Sequence, residues 1–212
     1  MKMRCVLITI LLPGIALSVF GAEPAKDWTP VKQTNGVAIY SRPHSGSHLR
    51  EFKAVGEIDA APKTVHNVLD DVEAYSSFMP YTKECRVLQR NHNFILSYQR
   101  VSPKIVSDRD YTLRIQQKSW AVGNGLAYLN RWEPANEHGP AQTPGVFRVT
   151  ECEGSWLLEP TREGKTRATY SIFTDSGISG PALLHNTIST TGISKLFAAV
   201  RKQAKNPKYQ SK

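Results

Sequence analysis

The sequence predicts an α+β domain in which a curved antiparallel β-sheet wraps around one long C-terminal α-helix. Three observations lead to this prediction. Two alternating segments precede a short stretch of helical period, strand patterns then fill residues 81–175, and the chain closes with one long helical segment. Consecutive strands at this spacing pair as hairpins, which leaves the terminal helix to cover the concave face of the sheet.

The first two strands are expected at residues 36–42 and 48–58, where apolar and polar residues alternate around a turn rich in Pro, Gly and Ser. A short helical insert follows, and Pro62 suits its first turn. Its apolar residues recur at i, i+3, i+4 and i+7: Val65, Val68, Leu69 and Val72. The period therefore changes from that of a strand to that of a helix.

The middle of the chain carries six strand patterns that predict an antiparallel meander. Turn signals, such as Gly123-Asn124-Gly125, separate several of them. The expected strands occupy residues 81–89, 94–101, 110–117, 125–132, 145–160 and 167–175.

The C-terminal helix is expected to begin at Pro181. Its inner stripe is predicted to contain Leu184, Ile188, Leu196 and Val200. Residues 187–192 between them are nearly all small or hydroxylated, which leaves room for a cavity under the helix. Gly192 costs about 1 kcal/mol relative to Ala inside a helix, so we expect it to serve the close approach of a ligand, a strand or a hinge.

Arg109 is the unexpected residue of the strand pattern "SDRDYTLRI". Side chains two apart share a face, so Arg109 falls on the apolar side with Tyr111, Leu113 and Ile115. A guanidinium is costly to bury alone. Arg109 is therefore expected at the mouth of the sheet or beside an anionic or polar group, either a ligand or an internal carboxylate such as Asp108 or Asp110.

Several segments together resemble the START family of lipid-binding domains, among them "SPKIVSDRDYTL", "GSWLLEP" and "FTDSGISGPALLHNTISTTGISKLFAAVRKQAK". The resemblance extends from about Trp28 to Lys205. It implies a helix-grip fold with one lipid or sterol in a tunnel beneath the C-terminal helix, and transfer or sensing without catalysis or a cofactor. The family frequently places a charged residue in the tunnel, and the arginine of the "RD" strand corresponds to Arg109.

The candidate ligand-binding residues come from three elements. Arg148 could instead lie on an exposed outer face, Tyr98 and Tyr111 could be core aromatics, and His185 could be solvated or satisfied within the core. The full set is Arg109, Tyr111, Leu113, Tyr98, Arg148, His185, Ile188 and Gly192.

Two other functions remain open. Relatives with the same architecture act as cyclases, aromatases or hydrolases on polyketide-like substrates, and Arg109, Tyr98, Tyr111 and His185 could be assembled for such acid–base chemistry. An interaction module with a collapsed cavity is the third possibility. No catalytic residue or metal site is assigned, because the six histidines are scattered along the chain.

The N-terminus predicts export. Lys2 and Arg4 precede an apolar run over residues 6–20 and the small residues Gly21 and Ala22, the pattern of a secretory signal peptide. We expect cleavage near Ala22, a single START-like domain over residues 23–212, and a periplasmic or secreted product. In that compartment Cys85 and Cys152 could form a disulfide, but free buried thiols fit the sequence equally well.

The charge of the chain, +9, is concentrated at its end, since no acidic residue follows Asp175. Arg201, Lys202 and Lys205 would suit transient docking on an anionic membrane surface. Helix C-termini favour cations in any case, and export argues against nucleic acid as a partner. The expected partner is therefore a lipid or other hydrophobic small molecule, bound by a monomer.

Overall fold

A computed structural model describes residues 27–103, 106–123, 125–177 and 182–210 of the chain, with the side chains of residues 182–186 outside that description. The expected signal peptide, Pro181 and the side chain of His185 lie outside the described residues. Within the described ranges, no helix is both long and apolar enough to span a bilayer.

The strands form a single sheet in the order β1-β2-β3-β10-β9-β7-β6-β5-β4, with β8 beside β6. Every neighbouring pair on this path is antiparallel. The predicted meander is confirmed apart from β8, and pairing of β3 with β10 joins it to the first strands. The strands are β1 (Thr29–Thr34), β2 (Val37–Pro43), β3 (Arg50–Ile58), β4 (Thr82–Arg90), β5 (Ile95–Val101), β6 (Arg109–Val122), β7 (Gly125–Pro134), β8 (Phe147–Arg148), β9 (Glu151–Pro160) and β10 (Thr166–Asp175).

Three strands, not the predicted two, precede the helical insert. The additional strand β1 is exposed at nearly every position and therefore shows no alternation of apolar and polar residues. A turn at Asn35 (φ 49°) and Gly36 (φ 67°) joins it to β2. Two consecutive residues with positive φ are typical of a tight β-hairpin.

The prediction of a single strand over residues 145–160 is wrong, because this range contains two strands, β8 and β9. β8 pairs in parallel with the start of β6. Beyond it, the backbone N–H of Val149 donates to the carbonyl of Asp110 at 2.9 Å, and Asn136 Nδ2 donates to the Val149 carbonyl at 2.7 Å. Residues 147–149 thus run beside the start of β6, whereas β9 pairs with β7 and β10. Alternating polarity on both sides conceals this break.

The helical elements follow the prediction. The insert consists of α1 (Pro62–Asp70), a 3₁₀ turn (Val72–Ala74) and α2 (Tyr75–Phe78), with Pro62 in the first turn of α1. The terminal helix is α3 (Ala182–Gln203). Two further 3₁₀ turns lie at Asn136–His138 and Pro207–Tyr209.

The core lies between the C-terminal half of α3 and the sheet. Ile193, Phe197 and Val200 are buried, and the Phe197 ring lies 5.0 Å from that of Trp156. Val200 was part of the predicted stripe, whereas Ile193 and Phe197 were not. The helix buries a wider face than that stripe, because it covers both a packed core and a cavity.

Cys85 and Cys152 are buried free thiols, so the sequence alternative of a disulfide between them is excluded. Burial raises the pKa of both thiols to about 11. A thiol with such a pKa is a small apolar core residue at neutral pH, not a nucleophile.

Candidate functional site

A cavity of about 370 Å³ separates α3 from the concave face of the sheet. Its volume lies at the lower end of the range for small-molecule sites, about 300–1,000 Å³. The collapsed-cavity alternative is therefore wrong. Most of the wall is apolar and includes Leu113, Ile115, Val149, Trp156, Ile172 and Leu196.

Strand β6 supplies one wall of the cavity, and the predicted parity of this strand is confirmed. Asp110 and Thr112 are buried on the opposite face, against residues 135–149. The cavity-facing residues of β6 are Arg109, Tyr111, Leu113 and Ile115.

Arg109 lies at one end of the cavity and is only 5% exposed. Its Nε donates to the Ser176 carbonyl at 3.1 Å, and its Nη1 donates to the carbonyl and the hydroxyl of Ser107. Its guanidinium lies 5.5 Å from the centre of the Phe147 ring. Within the described part of the chain Arg109 forms no ion pair, so neutral oxygens and the Phe147 ring are the groups that compensate its buried positive charge.

Asp108 and Asp110, the two acids beside Arg109, pair with other cations. The internal ion pair expected as an alternative between Arg109 and either acid is therefore wrong. Asp108 contacts Arg100 at 2.7 Å and Lys83 at 3.1 Å. A hydrogen bond from Ser102, together with those two cations, lowers the pKa of Asp108 to about 2. Asp110 is bound on the other face of the sheet.

Arg148 and Tyr98 do not line the cavity, which corrects their prediction as ligand contacts. Arg148 Nε and Nη2 donate to the two carboxylate oxygens of Asp110 at 2.6 and 3.0 Å, and Nη2 also donates to the Pro140 carbonyl at 3.0 Å. The Tyr98 hydroxyl donates to Asp110 at 3.2 Å. Tyr98 lies at an outer-face position of β5, and Arg148 shares that face because it is the register partner of Asp110 in the β6–β8 pair.

Helix α3 contributes Ile188, Ser189, Gly192, Ile193 and Leu196 to the cavity wall. A Cβ atom added to Gly192 would meet no heavy atom within 4 Å. Close approach of a strand, one of the three alternatives for this glycine, is therefore excluded. Open space at Gly192 agrees with the expectation that small residues leave room under the helix.

Asn130 also lines the cavity, although it is not among the candidate ligand-binding residues predicted from the sequence. It lies on β7, is 4% exposed, and borders the cavity. The available signal was an Asn in the middle of the strand pattern "GLAYLNRW", since Asn is depleted in strands. Asn130 thus adds a polar group, beside others such as Gln99 and Thr174, to a mostly apolar wall.

Arg201, Lys202 and Lys205 at the basic end of α3 were expected to suit membrane docking, and Arg201 differs from that expectation. The Arg201 guanidinium donates to the carbonyls of Asn35, Gly36 and Glu57 at 2.6 to 3.3 Å, and so joins the helix to the sheet. Burial lowers its pKa. Lys202 and Lys205 are exposed. About 15 Å of helix separates Lys202 from Gly192, at 1.5 Å per residue.

The described residues contain no cluster of three His, Cys, Asp or Glu side chains that could hold a metal ion. The arrangement is instead that of an apolar binding cavity with a few hydrogen-bonding groups. Such a site selects a ligand by shape and by the position of its polar atoms.

Two known proteins are similar to this chain in sequence over most of its length. An uncharacterized protein of Pseudomonas aeruginosa is 26% identical over 186 residues, which cover 87% of this chain and 90% of the relative. The phosphatidylcholine transfer protein of Mus musculus is 22% identical over 181 residues, 85% of each chain.

The fold matches that of solved lipid-transfer domains. The crystal structure of the STAR-related lipid transfer protein from Xanthomonas axonopodis aligns with a TM-score of 0.74 and 26% identity, over 85% of this chain and 99% of that one. The fold is therefore the helix-grip fold of START domains, as the sequence resemblance predicted.

The family assignment rests on more than half of the chain. Residues 58–201 match the family described as polyketide cyclase / dehydrase and lipid transport. This range begins at the end of β3 and includes the strands and the helix that line the cavity. The chain belongs to the polyketide cyclase / dehydrase and lipid transport family.

Proposed function

We propose that the protein binds one lipid-like amphiphile in the cavity under α3, with an anionic or strongly polar head group on Arg109. The observation that carries this proposal is a buried guanidinium without an ion pair among the described residues, at the end of an apolar cavity. A buried charge with only neutral partners is costly. A carboxylate or phosphate of the ligand would supply the missing negative charge and accept from Nη2, since Nε and Nη1 already donate to Ser176 and Ser107.

The remainder of the wall suits a hydrocarbon. Burial of apolar surface contributes roughly 25 cal/mol per Å², so an alkyl chain or ring system would supply most of the affinity. Arg109 would then fix the orientation of the ligand. This division between apolar affinity and polar orientation is general in small-molecule sites.

Release of the ligand would begin at the N-terminal half of α3. Residues 187–192 of that half present small side chains such as Ser189 and Gly192 to the cavity, whereas Phe197 and Val200 anchor the other half in the core. A segment with few buried apolar contacts opens at lower free energy than the core. The helix would therefore pivot on its C-terminal half, and the protein would carry its ligand between surfaces.

Binding is favoured over cyclase or hydrolase chemistry by the positions of the candidate acids and bases. Tyr98 lies on the outer face of the sheet, away from Arg109 and Tyr111. Burial raises the pKa of Tyr111 and Tyr170 well above that of a free phenol, so both hydroxyls stay protonated at neutral pH. Tyr111 donates its proton to Gln99 Oε1 at 3.4 Å, so its oxygen would accept from a ligand, whereas Tyr170, which also borders the cavity, would donate.

Export through the N-terminal signal pattern is part of the proposal, as is weak docking of the basic helix end on anionic lipid. Lys202 and Lys205 are the exposed cations of that end, and each would contribute roughly 1 kcal/mol near such a surface. Charge reversal of both should weaken binding to phosphatidylglycerol vesicles at low salt. Unchanged vesicle binding would contradict the docking part alone, and a retained N-terminal segment in the mature protein would contradict export.

The central test is native mass spectrometry with lipid extraction, applied to the protein purified from its own host. We expect one co-purified amphiphile per chain in the wild type, loss of it in Arg109→Leu, and partial retention in Arg109→Lys. Lys202→Gln removes the same charge from an exposed site and should leave the ligand in place. Equal occupancy in wild type and Arg109→Leu would overturn the role of Arg109, and turnover of a polyketide-like substrate would overturn binding without catalysis.

A further inference from the structure

The hairpin that joins β6 to β7 extends beyond the rest of the sheet. Within the described residues, β5 pairs with β6 as far as Ile115, and β9 pairs with β7 as far as Tyr128. The β6–β7 ladder continues past both points to Val122 and Gly125. The end of this hairpin is therefore a two-stranded ribbon without a further strand hydrogen-bonded to either side.

Three large apolar side chains are exposed on this ribbon. Trp120 is 42% exposed, Val122 39% and Leu126 47%. Trp120 and Val122 share one face of the ribbon, whereas Leu126, the register partner of Ala121, lies on the other. Of the four tryptophans, all of which the structure describes, Trp120 alone is exposed. Single exposed apolar residues are common, but a cluster of them at one projecting point marks an interaction site.

Three exposed cations lie behind this apolar tip. Lys118 is on the same face as Trp120, and Arg131 follows on that face of β7. On the other face, Lys63 Nζ lies 5.8 Å from the centre of the Tyr128 ring. Within the described part of the chain these three cations form no ion pair, so their charge is available to an anionic partner.

We propose that the tip of the β6–β7 hairpin inserts into the interface of an anionic lipid bilayer, with Trp120 at the boundary between head groups and acyl chains. Trp suits this boundary because its ring is apolar and its indole N–H can donate. Lys118 and Arg131 would lie among the anionic head groups. Residues 111–132 contain no Asp or Glu, so no charge on the hairpin itself opposes this attraction. A second copy of the chain is disfavoured as the occupant, because it would present the same cations.

The tip lies at the end of the sheet opposite Arg109. Val122 follows Arg109 by 13 residues on β6, at most roughly 43 Å at 3.3 Å per residue. The C-terminal end of α3 lies at the same end as the tip, since Arg201 binds the carbonyl of Glu57, which aligns across β10 with the end of β9. Docking through the tip would thus direct the exposed lysines of α3 toward the bilayer and the Arg109 end of the cavity away from it. This surface is separate from the cavity, so the inference goes beyond the proposed ligand binding.

The test measures partition of the protein into vesicles of equal parts phosphatidylglycerol and phosphatidylcholine, by sedimentation. Trp120→Ser/Leu126→Ser should partition about tenfold less than the wild type, because the apolar surface of both side chains is lost. Val31→Ser/Leu88→Ser is the matched control. Val31 and Leu88 are 39% and 38% exposed elsewhere on the sheet, so this variant should partition as the wild type does.

Vesicles with brominated acyl chains report insertion of Trp120 directly. Bromine should quench part of the wild-type tryptophan fluorescence, and Trp120→Phe should lose most of that quenching while it keeps its partition. Unchanged quenching in Trp120→Phe, or equal partition of the wild type and the Trp120→Ser/Leu126→Ser variant, would overturn the proposal. A thermal unfolding curve of the double variant ensures that a lost partition reflects a folded protein.

The remaining outcomes separate this proposal from the others. The double variant retains Lys202 and Lys205, so its lower partition would assign binding energy to the hairpin and not to the helix end. A wild-type dimer that dissociates in the double variant, with unchanged vesicle binding, would identify a second copy as the occupant and overturn the proposal. No vesicle binding by the wild type would overturn it together with docking of the helix end, and would leave ligand binding under α3 standing.

Discussion

Arg109 on β6 and Arg148 on the adjacent strand β8 lie on opposite faces of the sheet and carry the same charge in different environments. Arg148, on the outer face, forms a bidentate pair with Asp110, whose side chain is fully buried. Arg109, on the cavity face, donates to the neutral oxygens of Ser107 and Ser176 and lies over the Phe147 ring. One arginine has its counter-charge within the fold, and the other has none among the described residues.

This difference separates a structural arginine from a binding one. A buried ion pair in which each partner satisfies the other gains little from further ligands and loses much when one partner is removed. A buried cation held by neutral acceptors remains able to attract an anion. The predictions below test this distinction, from the largest expected effect to the smallest.

Removal of Arg148 should destabilise the protein most. Arg148→Leu leaves the carboxylate of Asp110 buried without its cation, at an expected cost of about 3–5 kcal/mol in the free energy of unfolding. Urea denaturation measures this cost. The double variant Asp110→Leu/Arg148→Leu should recover part of it, because no unpaired charge remains. Lys165→Gln, in an exposed ion pair with Glu57, is the control and should cost no more than about 1 kcal/mol.

Arg109→Leu should cost less stability than Arg148→Leu and should weaken ligand binding. The change removes a buried charge that lacks an ion pair, so its cost in unfolding free energy should be about 2 kcal/mol or more below that of Arg148→Leu. Affinity for an anionic amphiphile should fall at least tenfold, measured by calorimetry with palmitic acid. A larger stability loss in Arg109→Leu than in Arg148→Leu would reverse the assigned roles.

Gly192→Ala should stabilise the protein and reduce ligand affinity. Ala is about 1 kcal/mol better than Gly within a helix, and a Cβ at this position meets no other atom. Thermal unfolding should show the gain, and a ligand that fills the space should bind less tightly. Gly177→Ala is the contrasting variant, because Gly177 has φ +61° and a Cβ there would collide with the Phe147 ring. It should destabilise the protein.

The smallest expected effect concerns pH at His66. Burial lowers its pKa below the ordinary value of 6.5, against the opposing influence of Asp70 and with a minor contribution from Lys63. The unfolded chain therefore binds this proton more readily, and stability present above pH 6.5 is lost as pH falls toward the folded-state pKa. His66→Gln should reduce the decrease in melting temperature between about pH 7.5 and pH 5.5. An unaltered decrease would assign it to other groups.

Much of the fold was predictable because local polarity patterns follow burial. Val65, Val68 and Leu69 marked α1, and the alternation of β6 placed Arg109, Tyr111 and Leu113 on the cavity face. Strand β1 was missed because both of its faces are exposed. The division of residues 145–160 was missed because hydrogen bonds to β6, not a change of polarity, break that strand.

The sequence by itself determined which residues share a face of a strand or helix, and thereby the inward direction of Arg109 and the room at Gly192. Only the tertiary structure decided which charges meet. Asp110 pairs with Arg148 across 38 residues, and Asp108 pairs with Arg100, so Arg109 is left without a carboxylate among the described residues. Side-chain parity is a local property of the backbone, whereas partners are chosen by contacts between segments far apart in the chain.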